Sequence, residues 1–216
     1  MLIPRLHAAY VNAIANELYL SVASHLASRV SDKQYYLDIA LDQWAWFQKS
    51  GMINAQNLIN DGLQKCSNNG GTIWSYNQGV IIGALVELNK ASPNPSYLTT
   101  ARSIAMATMD ILSDSNNILH DVCEPNCGAD GSQFKGIFMR NLQKLQNASP
   151  DSRFINFIDD SAASIWGYDR NRANELSVVW SGPFVSPANA STQSSAMDAL
   201  VAAAAFQGSL GSATEL

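Results

Sequence analysis

Residues 11–30, VNAIANELYLSVASHLASRV, and residues 33–49, KQYYLDIALDQWAWFQK, decide the fold class between them. In the first, apolar side chains recur at Val11, Ile14, Leu18, Val22 and Leu26, steps of three and four that share one face of an α-helix. In the second, Leu37, Ala40, Trp44 and Phe47 repeat the pattern, and Ser31-Asp32 between them has the composition of a turn and helix N-cap. Two helices joined by so short a turn run antiparallel.

Outward from this hairpin the helical period continues. A third helix starts near Asn77 and runs through Val80, Ile81, Leu85 and Leu88, and Asn94-Pro95-Ser96 opens a fourth that extends to about Leu112. A fifth covers Gln133 to Gln146; a sixth begins at Pro150-Asp151 and carries Phe154, Phe157, Ala162 and Ile165; an alanine-rich seventh spans Thr192 to Phe206. Thr72 to Tyr76 alternates, but is too short to make a convincing strand. The sequence therefore predicts an all-α chain of about seven helices, joined alternately by short turns and long polar loops that gather at one end, where binding groups tend to sit. An odd count leaves one helix without a mate.

Thirteen Lys+Arg against 18 Asp+Glu give a net charge of -5, and 47% of the 216 residues are hydrophobic. That suits one domain with a substantial core, and the lack of basic runs interleaved with aromatics argues against a nucleic-acid partner. Charged residues are only 14%, with Asn, Ser and Gln supplying the remaining polar surface, as is common in secreted proteins. No apolar run approaches the ~20 residues needed to span a bilayer. Met1-Leu2-Ile3-Pro4-Arg5 leads into helix sequence rather than a signal-peptide core, so an export signal is expected outside this chain. Cys123 and Cys127 flank a Pro-Asn turn, where they either close a disulfide or stay reduced like Cys66. Asn147-Ala-Ser149 and Asn189-Ala-Ser191 are N-glycosylation sequons.

Candidate binding residues concentrate between Asn60 and Gln78: Asn60, Asp61, Trp74, Tyr76, Asn77 and Gln78. Sugar sites combine an aromatic face for the apolar side of a pyranose with planar amides and carboxylates for its hydroxyl pairs. The competing reading buries Trp74 and makes Asn77 a helix cap, while Asp61 beside Gly62 serves as a turn aspartate. Asp159-Asp160 is the one adjacent acidic pair, and glycoside hydrolysis uses paired carboxylates, but it sits mid-helix away from the long loops. His7, His25 and His120 lack metal-ligand spacing, and there is neither a phosphate-binding glycine loop nor a Gly-X-Ser-X-Gly elbow, so no metal or cofactor is expected.

Tyr10-Val-Asn-Ala-Ile-Ala-Asn-Glu-Leu18, Leu58-Ile-Asn-Asp-Gly-Leu63, the run Cys66 to Gly79, Cys123-Glu-Pro-Asn-Cys127, Gln133-Phe-Lys-Gly-Ile-Phe138 and Val179-Trp-Ser-Gly-Pro183 together resemble glycoside hydrolase family 76, the α-1,6-mannanases that include fungal cell-wall mannosidases. The resemblance implies a six-hairpin (α/α) toroid of twelve helices, with residues 1–216 supplying the C-terminal portion as an incomplete ring and the N-terminal hairpins absent. It implies that the family's catalytic Asp-Asp pair lies upstream of this chain, and that Asp61, Trp74, Tyr76, Asn77 and Gln78 line a groove for α-1,6-mannan. Cys66 would have lost its partner with the missing segment.

The implied activity is hydrolysis, or transglycosylation, of α-1,6-mannosidic linkages. The alternatives are an inactive carbohydrate-binding remnant or a helical interaction scaffold. The implied location is secreted or at the cell wall; the ending Gly208 to Leu216 lacks the apolar tail of a lipid-anchor signal. An open ring would leave apolar residues of the first helix, Ile14, Leu18 and Val22, uncovered.

Overall fold

The computed structural model describes residues 10–210; Met1 to Arg5, His7 and the tail beyond Leu210 lie outside them. Seven helices longer than one turn dominate the described residues, as the periodicity predicts. The chain divides into two compact units at Ala107/Thr108, within the fourth helix.

In the first unit, β1 (Tyr10–Asn12) precedes α1 (Ala13–Leu26). Val11 is paired with Leu63 of β2 (Gly62–Gln64), so the helix expected from Val11 starts only after Asn12, whose Oδ1 caps it by accepting from the Ala15 amide at 3.2 Å. β3 (Ser67–Asn68) completes a small antiparallel sheet in the order β1-β2-β3. α1 does not use its large stripe for the core. Leu18 and Val22 are 49% and 57% exposed, while Ala13, Leu20, Ala23 and the carboxyl-bearing Glu17 are buried. α1 packs mainly on α3.

α2 (Lys33–Ser50) returns antiparallel to α1 and ends at Gly51, whose φ of 81° is the left-handed conformation that terminates helices. Asp32 takes the N-cap position without making a side-chain cap bond. α3 (Ser75–Ala91) begins two residues before the expected Asn77 and buries every residue from Asn77 to Leu88. Near its end, Glu87 is 2.7 Å from Arg29 and 2.8 Å from Lys90. Burial pushes that carboxyl up, but the bonds from Arg29 and Lys90 outweigh it and bring the pKa down to about 2. Arg29 follows the C-terminus of α1 and Glu87 lies near that of α3, so the two helices run parallel. α4 (Pro95–Ile111) adds Tyr97, edge-on to Trp44 of α2 at 6.5 Å.

The second unit contains the short α5 (Gly128–Gly131), α6 (Phe134–Ala148), α7 (Ser152–Ser164) and α8 (Ala190–Leu210). α6 and α7 both pack on α8. Gly136 permits the approach: a Cβ there would stand 2.7 Å from Ser195 Cα, and its amide donates to Ser195 Oγ at 2.9 Å. α7, capped by Asp151, gives way after Ser164 to a single π-helical turn, Ile165–Asp169, that runs past Ile165, where the helical spacing read from the sequence stops.

Candidate carbohydrate-binding loops

Each long loop leaves its helix through the same backbone device. In the first, Asn54 Oδ1 accepts from the amides of Gln56 (2.9 Å) and Leu58 (3.1 Å), and Asn57 holds a φ of 60°. In the second, Asp114 Oδ1 accepts from Asn116 (2.8 Å) and Ile118 (3.1 Å), with Asn117 at φ 61°. In the third, Asn171 Oδ1 accepts from Ala173 and Glu175, both at 2.9 Å, with Asn174 at φ 63°. A carboxylate or amide followed three residues later by Asn serves both needs, since Asx side chains bond their own backbone and Asn tolerates positive φ. This internal repeat was legible in the sequence as Asx-X-X-Asn at 54, 114 and 171, yet periodicity alone passes over it. It makes Asp121 the positional counterpart of Asp61, a correspondence that the search for sugar-compatible residues missed.

Beyond its turn the first loop is tied to α3. The Gln78 amide, fully buried, accepts from the Ile59 amide at 2.9 Å and donates to the carbonyls of Ile59 (2.8 Å) and Trp74 (3.1 Å). Asn60 donates to the Gly71 carbonyl at 2.7 Å. These bonds clamp the two ends of the segment around Asp61 and Trp74. Asp61 is half-buried: its carbonyl accepts from Ala13 N at 2.9 Å, and its carboxylate accepts a very short hydrogen bond from the Tyr10 hydroxyl. Burial, then the bond to Asp61, raises the Tyr10 phenol above its ordinary pKa. Trp74 and Tyr76 are half-buried, whereas Asn77 and Gln78 are buried inside α3. Gln78 thus positions the loop from within. Asn77 is not the cap of α3, because Trp74 holds that position.

In the second loop Cys123 and Cys127 form a disulfide with Cα atoms 4.8 Å apart. Glu124, between them, meets the buried Lys135 Nζ at 2.6 Å and His120 Nδ1 at 2.9 Å. Lys135 also donates to the Val178 carbonyl at 2.7 Å and lies 4.4 Å from the centre of the Trp180 ring. Burial lowers the lysine's pKa and Glu124 opposes the shift; the Glu124 bond raises His120. Asp121 is 4% exposed and feels the Lys135 charge.

Asp159 and Asp160 lie mid-α7. Asp160 accepts from Asn117 Nδ2 at 3.1 Å, and burial, then its neighbour, raises Asp159. Asp110, Asp114, Asn117, Arg153 and Asn156 line an open polar depression of about 480 Å³ nearby. Cys66 is exposed. Asn147 and Asn189 are exposed, and Asn189 Oδ1 caps α8 by accepting from Ser191 and Thr192.

Helical hairpins joined by long polar loops give the chain the six-hairpin fold class. The profile described as "Glycosyl hydrolase family 76" matches residues 6–214, and the chain belongs to this family. Among curated proteins it is 29% identical to mannan endo-1,6-alpha-mannosidase DCW1 of Candida albicans over 143 residues, which cover 62% of this chain and 31% of that protein. Among solved structures it is similar to the Lin0763 protein from Listeria innocua (25% identity, TM-score 0.80, 93% of this chain and 57% of that one). It also shares the fold of an inactive double-aspartate variant of the α-1,6-mannanase from Salegentibacter sp. HEL1_6 in complex with α-1,6-mannotriose (23% identity, TM-score 0.79, 92% and 60%). The chain spans about a third of the length of its curated relative.

Proposed function

We propose that residues 1–216 are the C-terminal portion of a cell-wall or secreted endo-1,6-α-mannosidase, which hydrolyses or transglycosylates α-1,6-mannan. In this reading the chain supplies binding loops while the catalytic aspartates stand upstream. The observation that carries it is the Gln78 clamp, which holds the Asp61 and Trp74 ends of one loop together at the N-terminus of α3. Asp61, Trp74 and Tyr76 contact the glycan; Asn77 and Gln78 support them from the core. The partial coverage of relatives supports the assignment. So do rows of exposed apolar residues spaced by four, Leu18 and Val22 on α1 and Met197 and Val201 on α8, faces that further hairpins would cover. The disulfide and the exposed sequons suit secretion.

Retaining glycoside cleavage needs two carboxyls roughly 5–5.5 Å apart across the scissile bond. The adjacent pair in this chain is engaged otherwise, with Asp160 bonded to Asn117. That favours a second reading, a carbohydrate-binding remnant without catalysis. Calorimetric titration of the 216-residue chain with α-1,6-mannotriose is expected to show binding without product, weakened by Asp61→Ala or Trp74→Ala and unchanged by Asp160→Ala. Mannan cleavage by this chain, abolished by changing Asp159 or Asp160, would overturn the assignment. An upstream transcript encoding an Asp-Asp pair separates the enzyme from the remnant.

A further inference from the structure

The π-helical turn Ile165–Asp169 presents two aromatic rings to solvent, Trp166 at 53% and Tyr168 at 70% exposure. The backbone beneath them is held firmly. Asp169 is buried and accepts from the Ser177 amide at 2.9 Å and from its hydroxyl. Gly182, at φ 70°, lies so close that a Cβ there would stand 2.7 Å from the Tyr168 carbonyl oxygen. Arg170 covers one side of the indole, its guanidinium 4.0 Å from the ring centre, and is itself fixed by bonds to the Trp166 carbonyl (3.3 Å) and Asn174 Oδ1 (2.8 Å). Nothing lies within 4 Å of the Cβ position of Gly167, the residue between Trp166 and Tyr168 in the sequence.

The loop device does not demand these aromatics. Counting back from the bridged residues Ile53, Ser113 and Arg170, the position of Trp166 is held by Lys49 and Met109 in the other two repeats, and that of Tyr168 by Gly51 and Ile111. π-helical turns inside helices often mark functional sites, and exposing two large rings costs hydrophobic free energy that the fold does not recover. An indole held on one side by a cation, a second ring two residues away and a rim of Arg170, Asn174 and Glu175 match the apolar faces and hydroxyl edges of consecutive pyranoses. Resting on the mannan reading above, we infer that Trp166 and Tyr168 form a second glycan-binding platform, built from residues other than those of the Asp61 loop, that takes α-1,6-linked mannose units.

The five tryptophans give separable indole N–H signals in a ¹⁵N-labelled full chain, with those of Trp166 and Trp74 assigned through Trp166→Phe and Trp74→Phe. Titration with α-1,6-mannotetraose should move the Trp166 signal in the wild type and in Asp61→Ala alike. The double variant Trp166→Ala/Tyr168→Ala should bind polymeric mannan about five- to tenfold more weakly while keeping its response at Trp74. Because both rings are exposed, its melting temperature should stay near that of the wild type, and Trp166→Phe should restore much of the affinity. Movement of Trp74 alone would overturn the platform and leave the loop reading intact. A Trp166 response to β-glucan or chitin fragments but not to mannan would overturn the assigned glycan, and silence at both tryptophans would overturn both readings.

Discussion

The loops that begin at Asn54 and Asp114 share one backbone design and carry opposite chemistry. Each closes on an Asx side chain that accepts two backbone amides, and each delivers an aspartate seven residues on. In the first, Asp61 stays half-exposed beside the Tyr10 hydroxyl; in the second, Asp121 is buried in the field of Lys135, whose charge is answered mainly by Glu124. The turn places the residue, and its neighbours decide whether it stays open to solvent or joins an internal charge network.

The largest expected effect tests that division. Lys135→Met leaves Glu124 with His120 and the Asp121 amide as its partners in the interior, and breaking a buried pair typically costs about 3–5 kcal/mol. Urea denaturation should show a loss of this size, against less than about 1 kcal/mol for Tyr10→Phe at the exposed first loop.

The first unit holds its own buried acid, and pH exposes it. Glu87 has a folded pKa of about 2 against 4.5 for an ordinary glutamate, so its stabilisation is present above pH 4.5 and is lost as pH falls toward 2. The full difference is worth about 3 kcal/mol. Denaturation midpoints between pH 7 and 3 should decline less steeply in Glu87→Gln than in the wild type.

The turn design itself is probed by Asn54→Ala and Asp114→Ala, each of which strips the acceptor from two amides. About 1–3 kcal/mol is expected for each; Asn54 also donates to Asn60 Oδ1 at 3.0 Å, while Asp114 also meets His120 at 3.3 Å, a charge-assisted contact that makes its loss the larger. Equal losses would mean that the His120 contact is worth no more to its turn than the Asn54–Asn60 bond is to the other. A small effect is expected of Asn189→Ala, which removes the α8 cap and should cost about 1 kcal/mol in thermal denaturation whether or not a glycan is attached.

How far the sequence could be read varies with the range of the interaction. The seven helices follow from i, i+3, i+4 spacing because that pattern is local. α1 shows the limit: Leu18 and Val22 face solvent as expected of uncovered residues, but the spacing does not mark Ala13, Ala23 and Glu17 as the face that meets the core. Periodicity states that a helix has faces, and not which face a neighbour covers. Its start was also misplaced, because strand pairing between Val11 and Leu63 spans distant sequence. Gln78 looked like a sugar ligand by residue type, yet the fold closes it over Ile59 and Trp74. The π turn after Ser164 and the Lys135 network carry no local signature, since both depend on partners contributed by other elements.

By itself the sequence determined the helical class, the positions of the long loops, the resemblance to family 76 and the segment around Asp61. All of these rest on residue spacing and on residue order along the chain. Tertiary structure alone decided that Asp61 meets Tyr10, that Lys135 is buried against Glu124 and Trp180, and that Trp166 and Tyr168 reach solvent. Exposure and charge pairing belong to the three-dimensional neighbourhood, and residues far apart in the chain enter it only when the helices pack.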